Sequence, residues 1–278
     1  MAIDANNLYW TENTIGGVFQ IAKGGGGVIT VKAPDNVNGT AWAVVTDSNG
    51  GGTWVYWTDR TNGRIGATTI GGGSPWYYAS PKGSSAGTYG IAQGFVNGTD
   101  YVYGADFGAG NVWYIDANAR GGTGVAAFSV PSPTGLFDPG GAFLLIALYN
   151  GGTVQNSGTM IATGKNVDTR YVTSDGANAF WTASDGGQVW YAPVNASGAT
   201  PTALSTGEAE PWGITTDGVS SVYWVDKTSG YIRHAHLASG AWAIDTLATG
   251  NNPTDIRVDG TAIYWAEYGS GQIMRLNK

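Results

Sequence analysis

The chain has only two histidines, His234 and His236, one residue apart. On an extended strand that spacing puts both imidazoles on one face. Such a pair could share a metal ion, or one ring could act as a general base. The chain has no cysteine to complete a ligand set or serve as a nucleophile. No carboxylate stands at a telling spacing, and no Gly-x-Ser-x-Gly elbow offers an activated serine. The pair therefore reads as polar residues on a partly exposed strand, with no metal, no cofactor and no catalytic residue expected. Acidic residues recur with more order. Glu12, Asp59, Asp106, Asp226 and Glu267 each stand two places after the last residue of an apolar triplet such as LYW, VYW or IYW. Carboxylates in series could bind cations. A need repeated in every copy is more simply structural, with each acid accepting hydrogen bonds where one copy meets the next. Asp175, Asp217 and Asp259 precede glycine and read as hairpin turns.

The aromatic residues carry the binding expectation. Trp10, Trp57, Trp181, Trp224 and Trp265 hold one position of the repeat and are expected in the core, as are Trp113 and Trp190. Trp42 and Trp212 fall elsewhere, in equivalent places at the start of a copy's first strand, where Tyr89 and Arg170 also align. Flat apolar faces beside a guanidinium suit an aromatic compound or a sugar ring. Glu210 and Asp255 are placed near the rim of that site.

The elements that position these groups follow from the repeat itself. The triplet recurs as LYW 8–10, VYW 55–57, VYG 102–104, LIA 145–147, AFW 179–181, VYW 222–224 and IYW 263–265, at spacings of 47, 47, 43, 34, 43 and 41. Around each triplet lie short alternating segments broken by Gly, Asn or Asp, which read as four strands, A to D. A period near forty with four strands is the signature of a β-propeller. The fourth copy is short and its B strand wholly apolar. An insertion at 48–53 interrupts the second copy, and the seventh ends at Lys278 after three strands.

The strings YWTE 9–12, YWTD 56–59 and YWVD 223–226 resemble the YWTD repeat of propeller proteins, and the Asp-Gly turn and following strand resemble bacterial surface propellers. The resemblance implies the fold and a structural role for the Tyr-Trp and acidic positions. The best-known members have six blades, whereas seven B strands are counted here.

Composition sets the outer limits. Lys and Arg number 13 against a net charge of −7, and form no basic patch to neutralise a phosphate backbone, so nucleic acid is not an expected partner. No apolar run reaches the length of a membrane span. Met1 falls inside a repeat, so the lack of a signal peptide carries little weight. A secreted or cell-surface setting is favoured if the chain is trimmed. The reading is a single domain over 1–278, all-β, a seven-bladed β-propeller with a three-stranded last blade. It is expected to be a non-catalytic module binding a small molecule or glycan at the channel mouth through Trp42, Tyr89, Arg170, Glu210, Trp212 and Asp255. One alternative is a lectin with sites between blades. The other is a lactonase- or lyase-like enzyme, which needs carboxylates, histidine or a metal converging on one place. A second copy paired through the last blade or Trp242 is the protein partner considered.

Overall fold

The computed structural model describes residues 1–36, 39–47, 54–138, 143–162 and 168–278. The insertion at 48–53 lies outside them. Seven sheets follow one another along the chain, each built on an antiparallel meander, and the last has three strands. The fold is an all-β, seven-bladed β-propeller. The chain divides into two compact units, Met1–Leu144 and Leu145–Lys278.

In the first unit the opening sheet runs Ala2–Ile3, Asn7–Glu12, Gly17–Ala22 and Ile29–Lys32. The second runs Val44–Thr46, Trp54–Asp59, Arg64–Thr69 and Trp76–Ala79, and the third Thr88–Val96, Thr99–Asp106, Asn111–Asp116 and Val125–Ser129. One element has no counterpart in the sequence reading. Gly122–Thr123 pairs in parallel with Tyr78 and Ala79, giving the second sheet a fifth strand from the third copy's C–D connection. Strand Pro133–Phe137 follows before the unit ends.

The second unit continues with Leu145–Leu148, Thr153–Asn156 and Thr159–Ala162. The fifth sheet is Thr169–Ser174, Asn178–Ala183, Gln188–Pro193 and Thr202–Thr206, and the sixth Pro211–Thr216, Ser221–Asp226, Tyr231–Ala238 and Ala241–Thr249. The seventh is Pro253–Val258, Ala262–Glu267 and Gln272–Asn277.

The B strands explain the repeat's letters. Every residue of Ser221–Asp226 is buried, so both faces of this strand are covered. Successive side chains point to opposite faces. Val222 and Trp224 therefore enter a core with Phe180, Val189, Leu204 and Ile214 of the fifth and sixth blades. Tyr223 and Val225 enter another with Ile256, Ile263 and Trp265 of the seventh. In the first unit Trp57 packs with Tyr9, Val18 and Val31, and Tyr56 with Ile91, Val102 and Trp113. Each large side chain so buried contributes about 1.5–3 kcal/mol through area removed from water. The neighbouring strand must leave room for the indole. A Cβ on Gly66 would lie 2.3 Å from the ring of Trp57, so this place on strand C needs glycine.

The A–B turns are set by aspartate. Asp4, Asp175, Asp217 and Asp259 each accept backbone N–H bonds from residues two to four places on, at 2.7–3.2 Å. Gly176 and Gly218 follow with φ of 91° and 79°, a backbone region that favours glycine.

Candidate active site

The aromatic residues at the start of strand A are fixed by one device. Thr11 Oγ1 donates to the Trp42 carbonyl at 2.9 Å, Thr58 Oγ1 to that of Tyr89 at 3.0 Å, and Thr182 Oγ1 to that of Trp212 at 2.7 Å. Each threonine directly follows the last residue of its triplet, so these three B strands each latch the next blade's A strand.

The six expected site residues divide between the units. In the first, Trp42 and Tyr89 meet edge to face, with centroids 5.4 Å apart, and Tyr89 also meets Phe107 at 5.3 Å. The Arg60 guanidinium lies over both rings, 4.7 Å from Trp42 and 4.8 Å from Tyr89. These two faces are thus already engaged by a cation.

In the second unit Arg170, Glu210 and Trp212 come together, joined by residues the sequence reading passed over. Arg170 lies over Trp212 at 5.1 Å and over Tyr149 at 5.0 Å. Its Nε donates to Ser184 Oγ at 2.8 Å, and its Nη2 is 3.5 Å from Asp168 Oδ2. The Lys227 ammonium sits 4.1 Å from the Trp212 ring. Glu210 Oε1 accepts the Trp212 indole N–H at 3.0 Å and lies 3.5 Å from Lys227 Nζ, while Oε2 accepts from Thr228 Oγ1 at 2.7 Å. The backbone N–H groups of Ala209 and Glu210 both donate to Asp226, so one of the recurring acids holds the segment that presents Glu210.

The charges of this cluster are pulled in different directions. Burial pushes the Glu210 carboxyl up, but its bonds to Thr228, Trp212 and Lys227 outweigh that and hold it below the usual range. Asp185 goes the other way. Loss of solvation raises it, and so do the charge of Asp168 and a hydrogen bond between the two carboxyl groups, against the opposing pull of Arg170. The Tyr149 hydroxyl is bonded to Asp168, which raises it, with burial adding to the effect. Asp168 and Asp185 thus share a site beside a guanidinium, an arrangement of groups that can take up and pass on a proton.

Asp255 is a different case. It is buried on Pro253–Val258 and takes Arg257 Nη1 at 2.6 Å. Burial raises its carboxyl, and Arg257 more than offsets this and holds it low.

The other recurring acids are tied into the scaffold. Asp106 accepts from Ser80 Oγ, from Thr88 Oγ1 at 2.7 Å and from the Trp113 indole at 2.8 Å. Glu267 takes the Trp265 indole at 2.9 Å and Ser270 Oγ at 2.8 Å. Asp59 takes Arg64 Nε at 2.7 Å, and Glu12 the Trp10 indole at 3.4 Å. Two copies lack the acid, with Tyr149 in its place in the fourth and Ala183 in the fifth. These two copies supply Tyr149, Ser184 and Asp185. The exceptions to the repeat were the available signal for the site.

No known protein-family profile matches the chain, and no curated protein sequence matches it. Solved structures do. Virginiamycin B lyase from Staphylococcus aureus is similar at 16% identity, covering 100% of this chain and 93% of that one, with a TM-score of 0.79. A catalytically inactive variant of that lyase, with one histidine changed to alanine, matches equally well in its structure with quinupristin. A streptogramin B lyase is similar at 15% identity over 98% of this chain and 90% of that one, TM-score 0.78. A Bacteroides fragilis protein named for 6-phosphogluconolactonase activity is similar at 12% over 98% and 90%, TM-score 0.68. At these identities the shared property is the fold. The comparisons nevertheless correct the expectation of a non-catalytic binding module, because lyases and a lactonase-type protein stand among the propellers that match over nearly the whole length. The faces of Trp42, Tyr89 and Trp212 that the sequence reading offered to a ligand carry cations of the chain itself.

Proposed function

We propose that the chain is a propeller enzyme of lyase or lactonase type whose reacting groups gather around Arg170. The observation that carries this reading is the geometry around Arg170, whose guanidinium bonds Ser184, lies beside Asp168 and spans the faces of Trp212 and Tyr149, with exposed Asp185 next in the chain to the bound serine. A base of raised proton affinity is a stronger base at working pH. Arg170 Nη1 makes no hydrogen bond among the described residues, so the fork has a donor to spare for a carbonyl oxygen. Glu210 and Lys227 hold Trp212 as one wall, and Tyr149 forms another.

In the lyase reading the substrate is an ester with oxygen on the carbon β to a carbonyl. Arg170 binds the carbonyl oxygen. The Asp185 carboxylate takes the proton from the α carbon, that electron pair becomes the C=C bond, and the C–O bond at the β carbon breaks with its pair leaving on oxygen. Asp185 then returns the proton to the leaving group, and no other reactant is consumed. The names of the two lyase structures support this order of preference. In the lactonase reading Asp185 takes a proton from water attacking the ester carbonyl, and Arg170 holds the oxyanion. The Tyr-Trp-Thr strings keep the scaffold role their YWTD-like pattern implies, and the latches of Thr11 and Thr58 support that.

The test is turnover of a panel of cyclic and open esters bearing β-oxygen, run in ¹⁸O-water. An unsaturated product without ¹⁸O supports elimination. Label in the released acid supports hydrolysis. Turnover left unchanged by both Asp185→Asn and Arg170→Gln, or no turnover of any ester, overturns the proposal.

A further inference from the structure

His234 and His236 have a third partner that sequence spacing did not reveal. His234 pairs across the sheet with Tyr223 on one side and Asp245 on the other. His236 pairs with Ala243, so Asp245 is its diagonal neighbour on the same face. The two imidazoles stack with centroids 5.0 Å apart, and His234 stacks on Tyr223 at 4.6 Å. Asp245 Oδ2 lies 3.4 Å from His236 Nδ1 and 4.0 Å from His234 Nδ1. One donor atom from each of the three residues falls within 4.8 Å of the others.

The nitrogens are the telling feature. His234 Nε2 and His236 Nδ1 are both shielded from solvent and neither has a hydrogen-bond partner among the described residues. The Asp245 contact to His236 is at ion-pair distance but not aligned as a hydrogen bond. Two buried, unmatched ring nitrogens on one strand are costly unless something meets them. Polar solvation is one remedy, and a metal ion is another that matches the donor set. Two imidazoles and a carboxylate suit a borderline divalent ion, and leave the fourth tetrahedral position open. Bonds of about 2.0–2.1 Å to such an ion set ligand atoms roughly 3.3 Å apart. The site must therefore draw in, and Asp245, whose side chain is 56% exposed, is free to swing. The nearby ammonium of Lys278 lies 4.0 Å from the Asp217 carboxylate, so its charge is countered locally.

We propose that His234, His236 and Asp245 form a binding site for a divalent transition ion of the zinc class on the outer strands of the sixth blade. The site draws on no residue of the Arg170 cluster and stands or falls independently of the enzymatic reading. Chelator-treated protein is titrated with Zn(II) by calorimetry near neutral pH, and with Co(II) followed by visible absorption. The expected result is one equivalent of zinc, cobalt d–d bands of a low-coordinate site, and a thermal midpoint that rises with zinc and falls back with EDTA. His236→Ala and Asp245→Asn are each expected to weaken binding by at least about tenfold. Both residues are open enough to solvent that the fold survives the change, as near-ultraviolet circular dichroism will verify. His234 carries the stack on Tyr223, so its variant is not used. No uptake at sub-millimolar zinc, or uptake that both variants leave unchanged, overturns the proposal.

Discussion

Arg170 Nε donates a 2.8 Å hydrogen bond to Ser184 Oγ, tying strand A of the fifth blade to the turn after its own strand B. The bond fixes the plane of the guanidinium over Trp212 and Tyr149. Lysine keeps the charge but has neither the planar fork nor the Nε donor. Arg170→Lys is expected to leave the melting temperature near that of the parent and to lower kcat/KM on the order of 10²–10³-fold, the range for losing one oxyanion donor. Parallel melts and ester kinetics check this. Parent-like kinetics would remove Arg170 from the reaction.

The pH profile tests Asp185. As a base it must be ionised, so kcat/KM rises with pH through its raised pKa. Lost solvation is the first cause of that rise and Asp168 the next, with Arg170 opposing. Asp168→Asn removes a negative charge and should move the acid limb to lower pH. Arg170→Gln removes a positive charge and should move the residual limb to higher pH. Limbs that stay in place in both variants would assign the profile to another group.

Trp224 and Trp212 occupy the same sheet with opposite consequences. Trp224 is fully buried in the core between the fifth and sixth blades. Trp224→Ala should cost about 3–5 kcal/mol through lost burial and a cavity. Trp212 is only partly buried and carries cations on its face. Trp212→Ala should cost less than about 2 kcal/mol while disturbing activity, since Glu210 and Lys227 lose their common support. Urea unfolding measures both, and equal losses would contradict the assignment of roles.

Stability should fall in acid for a specific reason. Burial raises the carboxyls of Asp4, Asp217 and Glu267, but their hydrogen bonds outweigh it and hold each below its ordinary range. The unfolded chain then binds more protons, so stability is full above about pH 4–5 and is lost as pH falls through the lowered folded values. Glu267→Gln should flatten the decline in urea midpoints between neutral and acid pH. An unchanged slope would mean that the Trp265 and Ser270 bonds contribute nothing to it.

The fold was legible because its demands are periodic. The alternation in VYW at 222–224 sends neighbouring side chains into two different cores, and that pattern survives in sequence however the loops vary. The fifth strand of the second sheet was not legible. Gly122–Thr123 pairs through backbone alone and asks nothing of its side chains. The site was half legible. Arg170 and Trp212 stood out as unusual residues at aligned positions, with Glu210 placed near the rim beside them. Asp168, Asp185 and Tyr149 did not, because they lie where the repeat breaks its own pattern and a search for recurrence passes over them. The histidines were seen, but Asp245 joins them through cross-strand register, which spacing along the chain does not reveal.

The parallel strap of Gly122–Thr123 along Tyr78–Ala79 also imposes an order in time. The outer strand of the second blade cannot be finished until roughly 40 further residues have been made. At a synthesis rate of about 5–20 residues per second, that is a wait of roughly 2–8 seconds with an unpaired rim exposed. The same delay recurs where Ala199 bridges back to Ala162. The second and fourth blades of a nascent chain therefore mature about one copy behind their own synthesis, their edges being closed by the chain that follows.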